Sequence, residues 1–342
     1  MIGQVWQELP PQAHDPMIRL GQKRIEREKR SRPRESAMKD FVLKKDWIQK
    51  EETMAKMEYV TTGLTKIDFK DSLFVTTGLG EDENKEVKGY IECRGGIIRN
   101  FVTESTNYLI YQDGKEETTN YKNAMELIRD KGLEIIVLPF SLFLEIGIGE
   151  GLMEFGSYPF EADGTEKPIR WIILKREEKR VLLLSIYGLD AKPYNKEFTG
   201  VTWETCTLRK WLNWEFYVTA FTEDEKRRIL LTKVSNEDNP WYHTPGGNDT
   251  EDWVFLLSIR EVKEYLPSNL FRRRASTPFT RKQGVNEGND GNCLWWLRTP
   301  GYGPYDAAYV NNVGDIEICG CGVDYSGNAV CPALWIDLES DI

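Results

Sequence analysis

Between Leu73 and Ile146, short apolar runs alternate with amphipathic stretches. Leu73-Phe74-Val75-Thr76-Thr77 is a β-rich run closed by Gly78. Glu83 to Arg94 predicts a helix with Val87, Tyr90 and Ile91 on one face. Gly95-Gly96 ends it, because glycine takes up the left-handed conformation that closes helices at little cost. Ile97-Ile98 and Tyr108-Leu109-Ile110-Tyr111 are strand runs. Thr119 to Lys131 predicts a second helix stopped by Gly132, Glu134 to Leu138 a buried strand, and Phe140 to Ile146 a last apolar helix. Strands alternating with helices predict a small α/β domain with a parallel sheet.

The pattern differs on either side. Upstream, residues 36–58 predict a charged helix whose apolar face is Phe41, Leu43, Trp47 and Met54. Downstream, regular periodicity gives way to aromatic patches separated by Asn, Gly and Pro. Phe155 to Pro159, Ile169 to Leu174 and Val181 to Ser185 predict strands. Thr207 to Asn213 and Glu223 to Leu231 predict helices. Asp249 to Tyr265 predicts a strand at Val254-Phe255-Leu256-Leu257 and then a helix bearing Val262 and Tyr265. These elements define an α+β fold with long loops, in three parts: a charged segment at 1–70, an α/β domain at 71–147 and an α+β domain at 148–342.

Composition narrows the function. The 342 residues carry a net charge of −10, which argues against a nucleic-acid coat. The exception is Arg19 to Arg34, where eight basic residues face Glu26 and Glu28 alone; it reads as a solvated lead-in, or as an arm for nucleic acid. There is no run of 18 apolar residues and no cationic-then-apolar leader, so a cytoplasmic location with reduced cysteines is expected. Of the six cysteines, Cys319, Cys321 and Cys331 come nearest to a metal pattern, but the single-residue spacing and the lack of a nearby His argue against zinc. No metal and no cofactor is expected.

The pieces Phe74-Val75-Thr76-Thr77-Gly78, Gly95-Gly96, Thr106-Asn107-Tyr108-Leu109-Ile110 and Lys122-Asn123-Ala124, leading to Gly132 and Ile135-Ile136, resemble a BRCT domain. The resemblance implies an intracellular module that binds phosphopeptides, DNA ends or other proteins. Its phosphate-binding members converge a Ser or Thr hydroxyl, a backbone N–H and a Lys on the phosphate. Thr77 and Gly78 match; the Lys position falls on Asn120, and Lys122 points to another face.

Residues 149–340 resemble a C-type-lectin-like domain of the formylglycine-generating-enzyme type. The resemblance rests on Phe155 to Pro159, Cys206 to Asn213, Phe255-Leu256-Leu257-Ser258, Trp295-Trp296-Leu297-Arg298-Thr299-Pro300-Gly301 and Pro332-Ala333-Leu334-Trp335-Ile336. The last two are similar to the variable proteins of diversity-generating retroelements, whose C-terminal segment is mutagenised at codons containing adenine. In that scheme Gly301, Ala307, Ala308, Val310, Gly314, Gly320, Val323, Gly327 and Val330 form the framework, and Tyr309 belongs to the core. Cys331 stands where the resemblance implies Arg.

Between the framework positions lie Tyr302, Gly303, Tyr305, Asp306, Asn311, Asn312, Asp315, Glu317, Cys319, Cys321 and Tyr325. This is a paratope-like vocabulary: Tyr brings rigid contact area at low entropy cost, Asn and Gly adaptable hydrogen bonds. A protein ligand is expected there, with a phosphoprotein or DNA complex at the BRCT-like part. The chain reads as a recognition protein and not an enzyme. His14 and His243 are its only histidines, and both fall in loop-like sequence. Cys319 and Cys321 do not sit in the enzyme family's reactive-cysteine motif, and Asn286 to Asn292 is half a calcium loop without its closing acid. Two alternatives stand: a nucleic-acid-associated protein using the basic arm and the BRCT-like domain, and a formylglycine-generating-type enzyme.

Overall fold

The computed structural model describes residue 64 and residues 66–338, which belong to a compact unit spanning 60–342. The basic run Arg19 to Arg34, the helix expected at 36–58 and His14 lie outside the described residues.

The first part is a parallel sheet. Its strands are β1 (Leu73–Thr77), β2 (Ile97–Arg99), β3 (Tyr108–Tyr111) and β4 (Ile136–Pro139), in the order β2-β1-β3-β4. Every pairing is parallel. Helix α1 (Glu81–Cys93) starts on three acids, which suit the positive end of its dipole, and buries Val87, Tyr90 and Ile91. The two glycines after it have separate tasks. Gly95 takes φ +84°, and a Cβ on Gly96 would meet Ile91 Cγ2 at 2.5 Å and the Phe74 ring at 3.0 Å. Helix α2 (Thr119–Lys131) ends on Gly132 at φ +65°, and α3 (Phe140–Ile146) buries Phe140, Phe143 and Ile146.

The second part has strands β5 (Leu152–Pro159), β6 (Glu166–Arg176), β7 (Arg180–Ser185), β8 (Tyr187–Gly188), β9 (Asp190–Ala191), β10 (Thr232–Val234), β11 (Thr250–Asp252), β12 (Ala275–Ser276), β13 (Trp295–Pro300), β14 (Asp306–Val310), β15 (Ile316–Gly322), β16 (Ala329–Val330) and β17 (Ala333–Asp337). One antiparallel sheet runs β17-β7-β6-β5, and another sheet runs β15-β14-β13-β16-β9. With the helices α4 (Thr207–Trp211), α5 (Glu223–Arg228) and α6 (Ile259–Tyr265), this is a mixed α+β architecture.

The two parts share one apolar core. The ring of Tyr90 on α1 lies 4.1 Å from that of Phe271, and its hydroxyl donates to Gly147 O at 2.9 Å. Arg273 pairs with Glu83 at 3.3 Å beside that contact.

Three expectations are corrected, two because a side chain takes over a backbone partner and one because a distant strand does. Val254 to Leu257 is buried but forms no strand beyond a single bridge from Phe255 to Ala333. Asn213 Oδ1 accepts from the N–H of Trp253 and Val254, its Nδ2 donates to Val254 O, and Arg298 bonds the carbonyl of Leu256. A segment whose polar groups are satisfied this way needs no ladder. The helix expected to run to Asn213 ends its α geometry at Trp211 and passes through a π turn, Leu212–Phe216. There Asn213 Nδ2 also donates to Arg209 O at 3.1 Å, a side-chain insertion of the kind that widens a helix. The helix expected to reach Leu231 stops at Arg228, because Ile229 bridges to Ile336 and the Leu230 N–H donates to Trp335 O.

Candidate ligand-binding surface

The scaffold is the β13-β14-β15 part of the second sheet. Trp295 and Trp296, consecutive on β13, are buried on its two faces, and their indole N–H groups donate to Arg272 O and Lys192 O at 3.0 and 2.9 Å. Ala307, Ala308, Val310, Val323 and Val330 are buried. Tyr309, expected in the core, is half-buried and packs against it with its ring edge-on to Trp296. Between Ala307 and Tyr309 the pairing with β15 slips, and Gly320 sits at the slip with φ +75°. A Cβ there would meet Ala307 O at 2.4 Å, so only glycine fits.

The residues expected to form one face divide between the two ends of the β14–β15 hairpin. At one end are Tyr302, Gly303, Tyr305, Asp306, Cys319, Cys321 and Tyr325. Tyr302 is 68% exposed, and its N–H donates to Cys319 O at 2.7 Å. Tyr305 is exposed, and its O accepts from the Val323 N–H. The N–H of half-buried Asp306 donates to Gly303 O. Tyr325 is exposed, its hydroxyl accepting from Asn286 Nδ2 at 3.1 Å. Cys319 is exposed, whereas burial pushes the half-buried Cys321 thiol up to about 12.

At the other end, Asn311, Asn312 and Asp315 belong to the turn, and Glu317 stands on β15 opposite Tyr309. Asn311 Oδ1 accepts from Val313 N and Asp315 N, and its Nδ2 donates to Glu317 Oε1 at 2.8 Å. Asp315 accepts a hydrogen bond from Asn269 Nδ2, and the Asn312 amide lies against Gly288. The five residues of β14 hold Tyr305 and Asn311 more than roughly 15 Å apart at a strand's rise per residue, whereas Glu317 and Cys319 lie only two residues apart on β15. Asn311 is a hairpin organiser, and the exposed face is the end with the tyrosines.

Two loops enlarge that face with residues not anticipated above. Trp241 is 72% exposed, and Tyr242 meets Tyr302 edge-on with ring centres 5.0 Å apart. Phe198, 61% exposed, lies 5.4 Å from the Tyr305 ring. Asn239 fixes the first loop: its fully buried Nδ2 donates to Pro300 O, Gly301 O and Ile318 O, while its Oδ1 accepts from the N–H of Trp241 and Tyr242. Thr244 adds a bond to Tyr302 O at 2.8 Å. His243 sits in this turn at φ +57°, as a loop residue. The available signal was the density of large aromatics in a Gly- and Pro-rich stretch, where nothing local buries them.

The charged residues beneath are structural. Arg298 is buried and forked onto Glu261 Oε1 and Oε2, and its remaining donors reach Ser235 O and Leu256 O. Asp252 is fully buried and accepts from Trp203 Nε1, Arg209 Nε and Thr250 Oγ1.

In the parallel-sheet part, Thr77 ends β1, and Gly78 takes φ +76° against the side chains of Gln112 and Lys115. Asn120 is committed elsewhere. Its Nδ2 donates to Asn100 O and its Oδ1 accepts from Val102 N, so it braces the 100–102 turn. In the 286–292 loop, Asp290 bonds Asn292, and Glu287 bonds Arg281 and Ser276. Among the described residues there is no acid, Cys or His cluster able to hold a metal, and no helix long and apolar enough to cross a membrane.

Residues 178–338 match the model of a family described as a domain of unknown function, DUF6273, a stretch that takes in β7 to β17 and the whole aromatic face. No curated protein and no solved structure matches the chain.

Proposed function

We propose that this chain is a recognition protein and not an enzyme: a C-type-lectin-like scaffold that presents a variable aromatic face to a protein ligand. One observation carries the reading. Tyr242 with Tyr302 and Phe198 with Tyr305 stand exposed as two contacting ring pairs, with Trp241 exposed beside Tyr242 in the chain, over a backbone tied down by Asn239, Thr244 and Gly301. Large rigid aromatics on a fixed backbone lose little entropy on binding, which is how paratopes gain affinity. Of the two cysteines that the formylglycine-type alternative could use, Cys321 is ill-suited because burial raises its thiol, so that alternative rests on the exposed Cys319.

In this reading the parallel-sheet part is the BRCT-like module that docks the face to a cytoplasmic phosphoprotein or DNA-associated complex. The commitment of Asn120 to the 100–102 turn favours a protein surface over a phosphate.

The test is to sequence the gene and its flanks across many cells of one strain. Adenine-directed substitutions should gather in the codons for Tyr302, Gly303, Tyr305, Asp306, Cys319, Cys321 and Tyr325, beside a template repeat. They should spare Gly301, Ala307, Gly314 and Gly320. An invariant segment without a repeat would overturn diversification and leave a face of fixed specificity.

A further inference from the structure

A second concave surface has a different chemistry. Lys192, Pro193, Lys196, Lys210, Trp211 and Trp214 line a groove of about 390 Å³. Trp214 is 73% exposed, the most exposed tryptophan among the described residues, and no other ring packs on it. Its position follows from the π turn. Asn213 points inward, donating to Val254 O and accepting from the N–H of Trp253, so the next residue is turned out into water. π turns of this kind recur at functional sites.

Charge is the second observation. Lys192 lies over the Trp211 ring at 4.6 Å and is shared with Asp190 at 3.3 Å. Lys196 and Lys210 are exposed, and neither makes an ion pair with a described residue. Glu215 is the one acid on the rim, so the groove is locally basic on a chain of net charge −10. An unpaired indole flanked by unpaired ammonium groups fits a ligand with a flat aromatic face and an adjacent anion. An aliphatic acidic peptide would use the lysines and leave the indole in water.

We infer that this groove binds a nucleotide, its base stacked on Trp214 and its phosphate held by Lys196 and Lys210. A free nucleotide and one unit of a single strand supply the same chemistry. The inference stands independently of the recognition face, because none of the groove's residues belongs to that face.

The experiment uses the full chain. A labelled twelve-nucleotide single strand is titrated by anisotropy and AMP by calorimetry, against the wild type, W214A, W214F and K196E/K210E. All the substituted side chains are exposed, so folding should be unaffected. W214A should weaken binding by roughly tenfold, the scale of one lost base stack, while W214F retains most of it. The wild-type affinity should fall with salt with a logarithmic slope of about −1.4, as two lysines on single-stranded phosphates predict, and K196E/K210E should flatten that slope. Equal affinity for AMP and the strand would assign a free nucleotide, and a much tighter strand would assign single-stranded nucleic acid. Strand binding unchanged in W214A and K196E/K210E would place the affinity elsewhere, such as the Arg19–Arg34 run, and overturn the inference. Polyglutamate competing as well as the strand would overturn it in favour of an acidic protein partner.

Discussion

The buried amide of Asn239 donates to Gly301 O at 3.2 Å, tying the loop that carries Trp241 to the strand end that carries Tyr302. That side chain makes five bonds to backbone groups with no access to water, and at Gly301 a Cβ would strike Cys319 O at 2.4 Å. The aromatic face therefore depends on two residues that a ligand never touches.

Asn239→Ala should destabilise the protein by about 3 kcal/mol, since several buried carbonyl and N–H groups lose their partner together. Urea denaturation measures this. A loss below about 1 kcal/mol would mean that the loop is held by Thr244 and packing alone. Conversely, Trp241→Ala and Tyr305→Ala should each stay within about 0.5 kcal/mol of wild type, as exposed substitutions do.

The Arg298–Glu261 fork lies under β13 with Arg298 almost wholly buried. Arg298→Met and Glu261→Gln should each cost about 3 kcal/mol, because each strands a charge or leaves carbonyls unpaired. The double variant should cost less than the sum of the two. A double-mutant cycle checks this, and additive losses would show that the two side chains act separately.

Two glycines with similar backbone angles should respond differently to alanine. Gly314 has φ +91°, and a Cβ would fall 1.9 Å from Asn269 O; Gly164 has φ +93° with open space around it. Gly164→Ala carries only backbone strain, about 1 kcal/mol. Gly314→Ala must also displace the Asn269 backbone, and it should cost clearly more in thermal unfolding.

Alkylation of the native protein should distinguish the two cysteines of β15. Cys321 is raised to about 12 by burial first, with Asp306 and Asp324 adding to it and the Asn328 amide opposing it. A raised thiol pKa keeps the unreactive protonated form below that pH, so at pH 8 iodoacetamide should modify exposed Cys319 and leave Cys321 largely intact. Mapping by mass spectrometry decides it, and rapid labelling of Cys321 at pH 8 would contradict the burial described above.

Glu225 offers an acid-side probe. Burial raises its carboxyl, but the N–H groups of Thr222 and Gly156 bond the carboxylate and outweigh that, so its pKa is lowered. A depressed acid contributes stability above its ordinary pKa, and that contribution is lost as pH falls through the folded value. Glu225→Gln should therefore lower stability at pH 7 and make little difference at strongly acidic pH. A deficit that persists at low pH would mean the capping box contributes through shape alone.

Local physics was legible in the chain. The alternation of short apolar runs and i, i+3, i+4 stripes located β1, α2, α3 and β7, and Gly132 marked its helix end, because those features are set by neighbours in sequence. Ala307, Ala308 and Val310 read as framework because small and branched residues at fixed places between polar ones leave little else for them to do. What only the tertiary structure decided was partnership across distance. Asn213 satisfies a segment forty residues away and turns an expected strand into irregular chain. Asn239 brings Trp241 and Tyr242 beside Tyr302. Asn311 is drawn into its own hairpin turn, which separates it from the face that its composition suggested. A side-chain amide can serve any backbone within reach, so its role is fixed by what the fold brings to it and leaves no periodic trace in the sequence.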